Sequence, residues 1–149
     1  MKKLIKLSLP TLVLTLFTSY SYSQKTDFSD RQAIIETTEN FFIGDHTGSI
    51  EHKKLSMHKK GAYRYLNRDG AYDEFTFDLN SAEADNTYKE EILSIEIYGR
   101  LALVRTRLEL VKARLAANNG KVHYKLFTLH KIDGKWKITT ITWGAEIKL

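Results

Sequence analysis

The residues able to do chemistry gather in two places. Between residues 58 and 77 lie His58, Tyr63, Tyr65 and Asp73, on either side of the turn sequence Asn67-Arg68-Asp69-Gly70. Strand alternation there sets Tyr63, Tyr65, Asp73 and Phe75 on one face of a hairpin, with His58 just upstream. A carboxylate or imidazole beside a tyrosine hydroxyl is a minimal set for taking a proton while stabilising charge that develops on a substrate oxygen. Asp73 and His58 are therefore the candidate catalytic bases, and Tyr63 and Tyr65 the candidate ligand-binding donors. The structural alternatives are an aspartate at a sheet rim bonded to a tyrosine hydroxyl or backbone, and a histidine satisfied by a carbonyl at a helix-to-strand junction.

The second group, Thr106, His123 and Thr140, belongs to the long strands downstream and adds candidate ligand-binding positions on a face that turns from apolar to polar. Their structural alternative is an edge in water or at a dimer contact. Metal chemistry is poorly supported: Asp45, His46 and His52 are close, but the spacing of the two histidines puts them on different helix faces, unlike the i, i+4 pair of a zinc site. No Gly-rich phosphate loop, nucleophile elbow or His-Glu-x-x-His sequence occurs, and nothing calls for a cofactor.

The positioning elements follow from periodicity. Ser29-Asp30-Arg31-Gln32 has the form of a capping box and predicts a helix start, with Ile34, Ile35, Thr38, Phe41 and Phe42 as its buried stripe and Gly44 as its stop. A shorter helix is expected over 48–55, burying Ile50 and Leu55. In the first hairpin a three-residue loop, 68–70, places Arg64 opposite Glu74. Asn80-Ser81-Ala82-Glu83 predicts a capped helical turn.

A two-residue turn at Gly99-Arg100 pairs Ile97 with Ala102, Ile95 with Val104 and Leu93 with Thr106. Asn118-Asn119-Gly120 turns the chain into a last hairpin around Asp133-Gly134. That turn pairs Leu129 with Ile138, Phe127 with Thr140 and Lys125 with Thr142, with Trp136 and His123 on the same face. Tyr124, Leu126, Ile141 and Trp143 form an apolar cluster on the other face, suited to a dimer surface. The apolar register therefore changes face partway along this hairpin, as it does at a bend or bulge. Strands collected after helices indicate an α+β fold, with the helices against one side of a curved, antiparallel sheet of about six strands.

The ends and composition bound the rest. Lys2, Lys3 and Lys6, an apolar run from Leu7 to Phe17 and small polar residues to Ser23 predict a signal peptide over 1–23 with cleavage near Ser23/Gln24. The run is shorter than the roughly 20 residues that span a bilayer. A secreted or periplasmic protein is expected, with no membrane association after cleavage, and residues 24–149 as a single domain. Removing 1–23 takes three of the 23 basic residues and none of the 18 acidic ones, leaving 20 against 18. A net charge of +2 without a basic patch argues against nucleic acid. The absence of cysteine excludes disulfides and thiol chemistry.

With these elements in place, the chain resembles the nuclear transport factor 2-like superfamily over most of residues 28–147. The segments that carry the resemblance are the helix end FFIGDHTG, the hairpin IEIYGRLALVRTRLEL and the terminal FTLHKIDGKWKITTITW. Within the superfamily it is most similar to the putative lumazine-binding group, alongside the polyketide-cyclase-like (SnoaL-like) proteins, on the Gly44-Asp45 step and His58. Lys59 stands where that group usually has proline. The resemblance implies a cone-shaped roll, a pocket at its open end and a homodimer through the outer sheet face. It implies a bound small molecule, apolar or aromatic, or alternatively cofactor-independent isomerase, dehydratase or cyclase chemistry with a pocket Asp or His as base. Such a fold hosts many functions and does not choose among them.

Overall fold

A computed structural model describes residues 9–66, 69–110 and 123–143. Two helices, α1 (Leu9–Thr47) and α2 (Ile50–Ser56), precede six strands: β1 (Met57–Leu66), β2 (Tyr72–Thr76), β3 (Tyr88–Tyr98), β4 (Leu101–Leu110), β5 (His123–Ile132) and β6 (Lys135–Trp143). The strands form one unclosed, curved sheet in the order β2-β1-β6-β5-β4-β3. The fold is α+β as expected, but the sheet is mixed. The chain's last described strand, β6, returns beside β1 and runs parallel to it, while every other pairing is antiparallel. Among the described residues no helix is long and apolar enough to cross a membrane.

Helix α1 does not begin at Ser29. It runs through that residue, and Gln32 Nε2 donates to Glu36 Oε1 at 3.2 Å instead of closing a capping box. The reason lies upstream, where residues 11–28 contain neither glycine nor proline to break a helix. The predicted stripe holds: Ile34, Thr38 and Phe41 are buried against the sheet, flanked by the half-buried Ile35 and Phe42. Gly44 is a close-approach residue rather than the stop, because a Cβ there would lie 2.9 Å from Lys53 Cγ and 3.0 Å from the Lys53 backbone nitrogen. The helix ends at Gly48, whose φ of 70° is the left-handed value that favours glycine after a helix.

Ser49 caps α2, accepting from the His52 backbone N–H. Ile50 and Leu55 are exposed rather than buried, and Ser56 fills the inner position. A seven-residue helix presents barely two turns, and its inner side lies against α1 and the start of β1 rather than over the central core. The helical turn expected at residues 80–83 does not form. The Asp78 carboxylate instead accepts from the Asn80 N–H and the Ser81 hydroxyl, an Asx-type turn that competes with a helix start.

The hairpin turns follow their residue types. Arg64 sits opposite Glu74 with Nε 2.6 Å from Oε2, and Gly70, Gly99 and Gly134 all have positive φ. The turn expected at Asn118-Asn119-Gly120 lies outside the described residues. The departures are bulges. In β3 Thr106 pairs with Ile92 and Arg105 with Ser94, so Leu93 is the extra residue and is 40% exposed, instead of facing Thr106. In β6 Leu129 pairs with Ile138 but Thr128 with Thr140, so Thr139 is extra; Phe127 then pairs with Ile141 and Lys125 with Trp143, not with Thr140 and Thr142. Both bulges reverse which residues face inward, and each bends its strand around the helices.

The core is filled by Ile34 and Phe41 from α1 against Val104, Phe127, Leu129, Ile138 and Ile141. At the narrow end Asp30 joins α1 to the last hairpin: Lys131 Nζ lies 2.5 Å from its Oδ1 and Trp136 Nε1 donates to the same oxygen at 3.1 Å. Burial works against the Asp30 charge, but these bonds outweigh it and hold its carboxyl below the usual aspartate range. A depressed folded value means a stabilisation present above the unfolded value of about 3.9 and lost as pH falls through the lower folded value. Asp30→Asn is expected to lower stability at pH 7 by about 1–2 kcal/mol. In urea titrations the difference from wild type should shrink as pH falls below roughly 4; an equal difference at all pH values would contradict this role.

Candidate functional site

The reversal of face at Leu93 determines what lies inside the wide end of the sheet. Beyond the bulge Tyr88, Glu90 and Ile92 share the inner face with Ile95 and Ile97. Opposite them, at the end of α1, stand Asp45 and His46. From β5, on the face shared by Phe127, comes Lys125.

Lys125 Nζ lies 2.8 Å from Glu90 Oε1, and the Glu90 side chain has no exposed surface. Strands β3 and β5 are separated by β4 and lie roughly 10 Å apart, a span the lysine crosses over Thr106, its neighbour in register. The ammonium also sits 5.1 Å from the Tyr88 ring centroid and 5.5 Å from that of Phe41. Tyr88 donates its hydroxyl to Asp45 Oδ2, while Asp45 Oδ1 is 3.7 Å from Lys53 Nζ. The His46 ring meets the Tyr88 ring edge-on at 5.6 Å.

Electrostatics set the protonation states. Burial pushes the Glu90 carboxyl upward, with Lys125 opposing and Asp45 adding to the rise. Burial also pushes up the hydroxyls of Tyr63 and Tyr88, reinforced for Tyr88 by its bond to Asp45 and for both by the charges of Asp45 and Glu90. Both tyrosines are therefore neutral donors at physiological pH. Three buried polar atoms have no hydrogen-bond partner among the described residues: His46 Nε2, Glu90 Oε2 and Thr106 Oγ1. Buried polar atoms in folded proteins are nearly always partnered, by protein groups or by ordered water.

A second wall is aromatic. Tyr63 contacts Phe75, Phe77 and Trp143 at centroid distances of 4.9, 4.8 and 5.5 Å, and Tyr65 stacks on Trp143 at 4.8 Å with rings 1° apart. Tyr63 is the member of this wall whose hydroxyl the charges of Asp45 and Glu90 raise further, after burial.

The structure brings some expected site residues together and separates others. Tyr63 and Thr106 lie on this inner face, and His123 enters on the same face of β5 as Lys125. Tyr65 and its register partner Asp73 stand at the rim on the edge hairpin. His58 lies elsewhere, its Nδ1 accepting from the Lys60 N–H at 3.3 Å in a groove beside the β5–β6 turn. Thr140 faces the outer surface, because its partner Thr128 alternates with the buried Phe127 and Leu129. The expected outer cluster is split likewise. Ile141 is fully buried and Trp143 packs on the tyrosines, which leaves Tyr124 and Leu126 outside.

Sequence reasoning missed Tyr88, Glu90 and Lys125 as site residues. The available signal was the change of parity from Glu90 and Ile92 to Ile95 and Ile97, read as a single register through Leu93. Among the described residues no cluster of three His, Asp or Glu side chains could hold a metal ion.

A buried ion pair of this kind stabilises little on balance but is costly to break. Glu90→Met alone is expected to destabilise by about 3–5 kcal/mol, whereas Glu90→Met with Lys125→Met should be neutral or stabilising by about 1–4 kcal/mol. Chemical denaturation of the three proteins checks this. A double variant as unstable as the single one would show that the pair is a net structural support.

Residues 29–144 match the sequence profile of the family described as "Putative lumazine-binding". Among solved structures the chain is similar to an NTF2-like protein of unknown function from Shewanella baltica OS155, with a TM-score of 0.63, 17% identity, and coverage of 82% of this chain and 97% of that one. A second, from Silicibacter pomeroyi DSS-3, has a TM-score of 0.61 and 12% identity, covering 81% and 98%. A third, from Methylobacillus flagellatus KT, has a TM-score of 0.58 and 19% identity, covering 80% and 94%. No curated protein matches the sequence. At these identities the structures speak for the fold alone, which is that of NTF2-like proteins, and the profile, spanning most of the chain, speaks for the group: the protein belongs to the putative lumazine-binding family.

Proposed function

We propose that this protein is an exported small-molecule-binding domain whose ligand is a planar heteroaromatic compound held between the aromatic wall and the polar wall of the cone. The observation that supports the proposal is that one inner face carries both the stacked Tyr65–Trp143 pair, with Tyr63 packed on Trp143, and buried polar atoms on Glu90, His46 and Thr106 that have no partner among the described residues. A flat ring system is matched by aromatic faces, and its polar edge by a few fixed donors and acceptors. The family description makes lumazine, a bicyclic nitrogen heterocycle, the first compound to test. Export rests on the Lys2–Ser23 segment.

A second reading is favoured by one feature. Glu90 combines raised proton affinity with a free oxygen in the cavity that holds the neutral Tyr63 and Tyr88 hydroxyls. That combination suits a general base in a cofactor-independent isomerase, dehydratase or cyclase.

A thermal-shift panel of lumazines, pterins, flavins, steroids and polyketides separates these readings. A ligand at 100 times its dissociation constant adds about 2.7 kcal/mol, a shift of several degrees. Glu90→Gln and Tyr63→Phe should each reduce it. No shift with any flat heteroaromatic compound sinks the binding reading. Exchange of a ligand proton with deuterated solvent, lost in Glu90→Gln, would establish the catalytic one.

We infer further that the outer sheet face forms a homodimer, because Leu126 and Tyr124 are 39% and 37% exposed there on adjacent positions of β5. Leu126→Arg should convert the native mass spectrum from dimer to monomer; a wild-type monomer at high micromolar concentration would exclude it.

A further inference from the structure

A groove of about 480 Å³ lies between the end of α2, the start of β1 and the β5–β6 turn. It is separate from the cluster around Tyr63 and Glu90: Trp143 lies six positions along β6 from Lys137, roughly 20 Å of extended strand. Its floor is apolar, formed by Met57, Leu79 and Ile132, and its rim is cationic, formed by Lys54, Lys59, Lys135 and Lys137. Asp133 is the carboxylate among the lining residues, so the rim keeps a net charge of about +3 with His58 neutral.

The cations are crowded rather than scattered. Lys137 is held in place by donating to the carbonyls of Lys54, at 2.9 Å, and Leu55 at the end of α2. Burial and the neighbouring Lys135 together hold its ammonium below the ordinary lysine range. Like charges around one concave surface raise the free energy of the empty groove, and an anion relieves it. The apolar floor adds a second requirement, since a small hydrated anion would leave Met57, Leu79 and Ile132 uncovered. A volume of this size is that of an ordinary ligand pocket.

We propose that this groove binds an anionic amphiphile: a molecule with an alkyl or terpenoid body that lies over Met57, Leu79 and Ile132, and a carboxylate, sulfate or phosphate head set among the rim lysines. Lys59 and Lys135 are exposed and carry the selectivity for charge, whereas Lys137, tied to the α2 carbonyls, orients the head. The ligand is taken as a single molecule from solution and leaves the tyrosine-lined cavity unaffected.

The test uses decanoate below its micelle concentration as probe, with decanol, inorganic phosphate and anionic phospholipid vesicles as comparisons. Binding is followed by calorimetry and amide chemical-shift mapping. Decanoate should bind at least tenfold more tightly than decanol or phosphate, perturb residues 54–59 and 132–137, and weaken as salt rises. Lys59→Glu with Lys135→Glu should reduce its affinity at least tenfold while the melting temperature stays within a few degrees of wild type, as surface substitutions leave it.

Equal binding of decanol would remove the role of charge, and equal binding of phosphate that of the apolar floor. Unchanged affinity in the double variant, shifts confined to Tyr63, Tyr88 and Glu90, or binding to vesicles without binding to decanoate would each overturn the proposal.

Discussion

One additional residue in β3, Leu93, governs what the interior contains. A strand alternates strictly between faces, so a regular β3 with Ile95 and Ile97 inside would send Glu90 and Tyr88 to solvent. The bulge reverses that parity. Leu93 is left 40% exposed, and a carboxylate and a phenol are carried under the end of α1. The Thr139 bulge in β6 acts in the same way on the opposite side, taking Ile141 and Trp143 inward to meet Tyr63 and Tyr65. The polar and the aromatic groups thus both lie on the inner side of the sheet because two strands each carry one residue more than their partners.

The interior that results is not optimised for stability. Glu90 is buried without exposed surface and its proton affinity rises in spite of Lys125, which means that desolvation exceeds what the single cation returns. The narrow end solves the same problem differently. Asp30 receives two donors on one oxygen and its carboxyl falls below the usual range. One acidic residue is fully served by its neighbours, and the other has one oxygen without a hydrogen-bond partner among the described residues.

The α1–α2 corner links these regions. Gly44 lets Lys53 approach so closely that its ammonium reaches Asp45, which in turn orients Tyr88. The Gly44-Asp45 step noted in the sequence therefore has a physical meaning: the glycine permits the crossing, and the aspartate uses it to hold the Tyr88 hydroxyl.

Much of the fold was legible in the sequence because its causes are local. Asp133-Gly134 and Gly99 demand positive φ and define hairpins, the stripe at Ile34, Thr38 and Phe41 buries one helix face, and Arg64 meets Glu74 through a short loop. Composition alone set aside disulfides, whereas the crowding of Lys54, Lys59, Lys135 and Lys137 around one groove is a product of the fold. A face switch in the last hairpin was also expected, from Leu129 and Ile138 to Leu126, Ile141 and Trp143; it occurs in β6 alone, and Leu126 stays outside. What only the tertiary structure decided was where the extra residues fall, which strand β6 joins, and so which side chains meet. A bulge forms where burial of distant surfaces outweighs the regular ladder, and that balance involves partners such as Glu90 and Lys125, 35 residues apart. The parity change from Glu90 and Ile92 to Ile95 and Ile97 marks the bulge in the sequence, but not that Glu90 meets Lys125 there or that His58 and Thr140 lie apart from them.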